Sequence, residues 1–198
     1  MQLNIIICGV GGQGNLLASV GIANYSMKKG LNVLGTETIG AAQRGGSVIS
    51  HIRISDKELY SPLVPAGKAD ILMAFEPLEA VRHLKLVNPE GSYILNIEPV
   101  PTVSCNMGMD TYPSLSDILA TVKEACPKGH MVDASTKARE LGNFMMTNMI
   151  MLGALTGVCS FFDSEEFVSV LSGVIPSKVL DANIKAFKEG IKMIQEIA

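Results

Sequence analysis

Four cysteines, Cys8, Cys105, Cys126 and Cys159, are spread over 198 residues, and no C-x-x-C occurs. That spacing supplies neither a disulfide framework nor the ligand set of a zinc or iron–sulfur site. Cys8 ends an apolar run and Cys159 lies within one, the settings of unreactive core thiols, and the pattern fits a reducing cytoplasm. Charge is also scarce: 18 % of residues are Asp, Glu, Lys or Arg, and the net charge is −3. Cations come no denser than pairs such as Lys28-Lys29. The clustered charge that releases counterions from a phosphate backbone is missing, which disfavours a nucleic-acid partner. No basic segment with a small-residue cleavage site is seen at the start, so no secretory signal is expected. Repeats, low-complexity tracts and linkers are lacking too. A single domain over 1–198 is expected, long enough for a substantial core.

One long uncharged run is present. From Phe144 to Phe162, "FMMTNMIMLGALTGVCSFF", no charge occurs for 19 positions, close to the roughly 20 residues that a membrane-spanning helix needs. Thr147, Asn148, Thr156 and Ser160 interrupt it, and Gly153 and Gly157 weaken it as a helix. A helix apolar all round is buried in a core or a subunit interface, so burial is expected and a membrane is not. The same run is a candidate apolar surface for a partner.

The remaining pattern alternates strands and helices. Leu3–Cys8 is a continuous apolar run bounded by glycine, the mark of a central parallel strand. Leu16, Val20, Ala23 and Met27 recur at helical spacing up to the stop at Gly30, and Leu31–Leu34 is a second strand. Ser47–Ile54 alternates and predicts an antiparallel or edge strand with a polar side carrying Ser47, His51 and Arg53. Further strands are expected at Ala69–Phe75, Gly91–Ile97 and His130–Asp133. Helices are expected from Pro77 to about Leu86, over Ser114–Ala125, from Thr136 to about Thr156 with a break near Gly142, from Asp163, and over Pro176–Ile197. This pattern predicts an α/β fold, Rossmann-like, with a mostly parallel central sheet flanked by helices.

Candidate binding residues fall in two clusters. In "IIICGVGGQG" the apolar strand meets Gly9, Gly11, Gly12, Gln13 and Gly14 with the spacing G-x-G-x-x-G. Such a turn exposes backbone N–H groups at the positive end of a helix and favours an anion. Gly9 suits the tight turn, Gly11 allows a pyrophosphate to approach, and Gly14 allows helix to pack on strand. Glu37, 23 residues beyond Gly14, has the place of an acidic ribose ligand. The second cluster is the small-residue loop holding Gln43, Arg44, Gly45, Gly46 and Ser47, where Arg44 is a candidate anion clamp or partner contact. His51 reads as a hydrogen-bonded structural residue, while His83 and His130 have no partner at metal spacing. Glu76 is placed to line the site or to stabilise a helix start.

"GVGGQG", "ETIGAAQRGGSVISHIRIS", "SPLVPAGKADILMAFEPLEAVRHL" and "NFMMTNMIMLGAL", in that order, resemble the gamma-type component of 2-oxoacid:ferredoxin oxidoreductases. Within that group the chain is most similar to the beta subunit of the indolepyruvate enzymes. The resemblance implies a part in thiamine-dependent oxidative decarboxylation of a 2-oxoacid, with acyl transfer to coenzyme A and electrons passed to ferredoxin. No cysteine cluster and no G-D-G followed by Asn occurs here. Thiamine diphosphate, its magnesium ion and [4Fe–4S] clusters are therefore expected on a larger partner subunit. The chain is read as an accessory component with no catalytic residue of its own, and with coenzyme A or the partner at the glycine turn. A stand-alone NAD(P)-dependent oxidoreductase is the competing reading, favoured by the glycine turn and Glu37 but lacking a convincing His/Asp catalytic pair. A nucleotide- or acyl-CoA-binding regulatory module is the third.

Overall fold

The computed structural model describes residues 1–197, with the side chains at 41 and 43 outside that description. A six-stranded sheet is built from β1 (Gln2–Val10), β2 (Asn32–Glu37), β3 (Ser47–Ser55), β4 (Ala69–Ala74), β5 (Val87–Asn96) and β6 (Gly129–Val132), in the order β2-β3-β1-β4-β5-β6. The pairs β1–β4, β4–β5 and β5–β6 are parallel. Only β3 runs against its neighbours, with Val10 opposite Ser47 and Glu37 opposite Ser50. The strand over Ser47–Ile54 is therefore antiparallel as expected, but it is an interior strand with β2 on its far side.

Strand periodicity divides the core. Ile5 and Ile7 of β1 point to one face, Ile6 and Cys8 to the other. The first face is covered by α1 (Asn15–Lys28), α6 (Thr147–Val158), α7 (Ser164–Val174) and α8 (Ser177–Ile197). The second packs under α2 (Pro77–His83) and α4 (Leu115–Ala125). A short helix α3 (Val103–Asn106), not foreseen from sequence, lies between β5 and α4, and α5 (Ala134–Glu140) follows β6.

The expected break at Gly142 is present: the residue sits at φ 93°, and one 3-10 turn over Phe144–Met146 leads into α6. The uncharged run is a core helix rather than a docking surface. Thr147 through Thr156 are all buried, and only Phe144, Met145, Gly157 and Ser160 stand exposed within it. Among the described residues no helix is long and apolar enough to cross a membrane. Asp163 caps α7 through the N–H groups of Glu165 and Glu166. Glu166 does not return the bond; its carboxylate pairs with Lys29.

Helix α1 turns its apolar stripe outward. Leu16, Val20 and Met27 are 54, 36 and 53 % exposed, whereas Ala18, Ser19, Gly21, Ile22, Tyr25 and Ser26 face the core. Ala18, Ser19, Gly21 and Ser26 let the helix approach its neighbours closely, while Ile22 and Tyr25 fill the core between them.

Candidate functional site

The carboxyl ends of the parallel strands carry both predicted clusters. After β1 the chain passes to the α1 face of the sheet, and after β4 to the α2 face, so the connections diverge between these neighbouring strands. This is the switch point at which open α/β sheets bind ligands. Here a side chain fills it. Gln13 Oε1 accepts the Val10 N–H at 2.7 Å, and its Nε2 donates to the Phe75 carbonyl at 3.1 Å. Gly9 makes room for this plug, since a Cβ there would stand 2.6 Å from Gln13 Oε1 and 2.9 Å from Phe75 Cβ.

The turn donates inward more than the spacing implies. The Gly11 N–H bonds the Gly46 carbonyl at 2.8 Å, and the Gln13 N–H bonds the Val10 carbonyl at 3.2 Å. Gly12 and Gly14 take the left-handed conformation, at φ 104° and 87°. Gly14 opens α1 with no side-chain cap. A Cβ on Gly14 would strike the Asn148 amide of α6, so this glycine serves helix-to-helix contact rather than the predicted helix-on-strand packing.

The same Gly11–Gly46 bond joins the turn to the second cluster. Gly45 turns the loop at φ 100°, Gly46 donates to the Ala42 carbonyl at 2.8 Å, and Arg44 stands exposed. The side chain of Gln43 lies outside the described residues. Ser47 begins β3 and donates its hydroxyl to Glu79, a buried carboxylate that also meets Arg82 Nε at 3.2 Å. Glu76 is the N-cap of α2, accepting the Glu79 N–H at 2.9 Å. It also receives the Val100 N–H at 3.2 Å and the Tyr112 hydroxyl. Burial, then these two carboxylates, pushes the Cys8 thiol well up, leaving it protonated and inert. His51 is structural: Nδ1 accepts the Val64 N–H at 3.1 Å, while burial and then His83 push its pKa down.

Between the turn, the first turn of α1 and the ends of β2 and β3 lies an open cleft of about 280 Å³, lined by Gly12, Leu16, Glu37, Thr38, Val48 and Ile49 among others. Glu37 accepts the Ser19 hydroxyl beside it. Two polar residues here escaped the sequence reasoning. Both amide atoms of Asn15, and Oδ1 of Asn148, are buried without a hydrogen-bond partner, and Asn15 also borders the cleft. Their signal was position alone: Asn15 directly follows the glycine turn, and Asn148 lies in the fourth motif.

The model of the pyruvate ferredoxin/flavodoxin oxidoreductase family matches residues 4–193. The chain belongs to that family. It is 41 % identical over 191 residues to the indolepyruvate oxidoreductase subunit IorB of Archaeoglobus fulgidus, covering 96 % of this chain and 94 % of the relative. Against the subunit of the same name from Pyrococcus horikoshii it is 40 % identical over 198 residues, covering 99 % and 98 %. In fold it is similar to the 2-oxoglutarate:ferredoxin oxidoreductase of Magnetococcus marinus, solved with 2-oxoglutarate, coenzyme A and succinyl-CoA bound. That match has a TM-score of 0.76 at 24 % identity, covering all of this chain and 32 % of the other. The chain thus spans about a third of that enzyme's chain.

Membership in this family decides between the enzyme readings, and the geometry agrees. A dinucleotide fold sets the strand bearing the ribose acid directly beside the first strand. In this family member β3 intervenes, so Glu37 stands two strands from β1, about 10 Å away. Tyr25 and Lys29 have the Tyr-x-x-x-Lys spacing met in some nicotinamide-dependent reductases, but they sit at the opposite end of α1 from the turn. There Tyr25 packs on Phe161, Phe162 and Phe167, and Lys29 pairs with Glu166. Among the described residues no group of three or more His, Cys, Asp or Glu is arranged to hold a metal ion. Cys8 and Cys126 are buried, Cys126 with its thiol on the Gly91 and Lys128 carbonyls. These residues fit neither an iron–sulfur cluster nor the metal of thiamine diphosphate.

Proposed function

We propose that the chain is the gamma-type subunit of a 2-oxoacid:ferredoxin oxidoreductase acting on an arylpyruvate, and that its own part is to hold coenzyme A. The cleft carries this reading. The glycine turn and the loop of Arg44 to Ser47, two of the four motifs that lead to the family, are hydrogen-bonded to each other, and the cleft opens beside the turn. Coenzyme A is present in the enzyme of similar fold, and the relatives near 40 % identity are named for indolepyruvate. Gly12, the uncapped start of α1, Glu37 and Arg44 are the residues assigned to hold the cofactor. Gln13, engaged at both ends, holds the turn in shape for them.

Decarboxylation and electron transfer to ferredoxin are assigned to a larger partner subunit bearing thiamine diphosphate, magnesium and [4Fe–4S] clusters. The test is reconstitution with that subunit. The two chains should co-elute, and ferredoxin reduction by indolepyruvate and coenzyme A should require both. Full activity of the large subunit alone, or separate elution, overturns the reading.

A further inference from the structure

The end of the sheet opposite the glycine turn carries a separate groove, which the proposed function does not use. It lies where β1, β4 and β5 begin and β3 ends, and is lined by Asn4, Arg53, Pro65, Lys68, Asp70 and Pro89 among others. Its volume of about 600 Å³ falls within the roughly 300–1,000 Å³ of small-molecule sites. Two half-buried charges in it, Arg53 and Asp70, are held in place by neutral partners. Arg53 Nε donates to Asn4 Oδ1 at 3.1 Å, and Nη1 donates to the Ser61 carbonyl at 2.9 Å. Asp70 accepts the Asn4 N–H at 2.7 Å on one oxygen and the Asn88 amide at 2.8 Å on the other. Buried Asn4 thus fixes both side chains and stands between them. Among the described residues neither Arg53 nor Asp70 forms an ion pair, and none accepts from Arg53 Nη2. Charges partly withdrawn from water are costly without a partner, and both groups keep unused hydrogen-bonding capacity.

We infer that this groove binds a free α-amino acid with an apolar side chain, its carboxylate on Arg53 and its ammonium on Asp70. Opposite charges kept apart by one intervening side chain are the complement of a zwitterion. A simple anion in the groove would meet Asp70, and a simple cation would meet Arg53 and Lys68. A ligand carrying both charges one carbon apart satisfies the two together. The planar guanidinium fork suits a carboxylate, and the open lone pairs of Asp70 accept from an ammonium group. Pro65 and Pro89 present ring methylenes at the walls, where an apolar side chain gains contact. A residue inside a peptide chain has neither charge on its backbone, so the free amino acid is the ligand that fits.

The full chain, isotope-labelled and followed by amide chemical shifts, tests this with three probes that share one branched side chain. L-Leucine carries both charges, isocaproate the carboxylate alone and isoamylamine the ammonium alone. L-Leucine should saturate at about 1 mM or below and shift the amides of Asn4, Lys68, Asp70 and Asn88, and each single-charge probe should bind about tenfold more weakly. Asp70→Asn should weaken L-leucine about tenfold while leaving isocaproate bound at least as well as before. Arg53→Gln should weaken L-leucine and isocaproate alike, but it also releases the Ser61 carbonyl. Asp70→Asn, which keeps an amide of the same shape in place, is therefore the deciding variant. Absence of saturation up to about 10 mM, shifts confined to other amides, isocaproate binding as tightly as L-leucine, or an Asp70→Asn chain that binds L-leucine unchanged each overturns the proposal. Because the three probes are compared on the parent chain, the test stands even where a variant fails to fold.

Discussion

Glu76 carries more of the structure than its 1 % exposure suggests. It closes the start of α2 through the Glu79 N–H. Through the Val100 N–H and the Tyr112 hydroxyl it also fastens both ends of the segment bearing α3, whose Val103, Met107 and Met109 are exposed. Burial, then the hydrogen bond to Glu76, pushes the Tyr112 phenol well above its ordinary range, so it remains a donor at any working pH. Removing the carboxylate loses a cap, at about 1 kcal/mol, and leaves buried donors unmatched, at about 1–3 kcal/mol. Glu76→Ala should therefore destabilise by about 2–4 kcal/mol, and Tyr112→Phe by about 0.5–1.5 kcal/mol. Urea unfolding of the isolated chain measures both; a Glu76→Ala change no larger than about 0.5 kcal/mol, the usual surface value, would show that Glu76 is not the anchor. The Glu-Pro pair marked this helix start in the sequence. The phenol that completes it is 36 residues away, and no local pattern announces it.

At the scale of elements, helix and strand periods were legible because they reflect the two faces of one sheet, and what those periods pack against was not. The uncharged run from Phe144 reads correctly as a buried helix. Its glycines look like weak points until α8 is seen crossing it. A Cβ on Gly153 would run into the Phe187 carbonyl, and one on Gly190 into the Ile150 carbonyl, so the two backbones nearly touch. Likewise the Leu16–Met27 stripe signals a helix correctly, but the buried side of α1 is the one carrying Ala18, Gly21, Ile22 and Tyr25, a choice made by packing against the sheet and α7. The interior place of β3 follows from long-range pairing that alternation cannot specify. The crossing makes a paired prediction. Gly153→Ala should cost about 1–3 kcal/mol or more, because backbone cannot yield as a side-chain tip does. Gly173→Ala, at an exposed position of α7 with open space around its Cβ, should stabilise by up to about 1 kcal/mol through helix propensity alone. Thermal unfolding of the two variants beside the parent protein decides it. Equal and small effects would mean that α6 and α8 do not cross this closely.

For the whole molecule, the glycine turn asked whether this was a dehydrogenase, and the turn by itself could not answer. Family membership decides it, and the order of the sheet shows the physical reason. A dinucleotide needs an open crevice at the switch point, free N–H groups for its pyrophosphate and an acid one strand away. In this protein Gln13 closes the crevice, Gly46 takes up the Gly11 N–H, and β3 pushes Glu37 a further strand out. Each feature separately weakens NADH binding, and together they remove the site. Titrated with NADH and followed by nucleotide fluorescence, the isolated chain should show no saturation at micromolar concentration, which corresponds to a binding free energy of about −8 kcal/mol. The Glu37→Ala variant should behave the same, since β3 stands between the strand that carries the acid and β1. Saturable micromolar binding that Glu37→Ala abolishes would mean that Gln13 swings out to admit the dinucleotide, and would restore the stand-alone NAD(P)-dependent reading that the sheet order argues against.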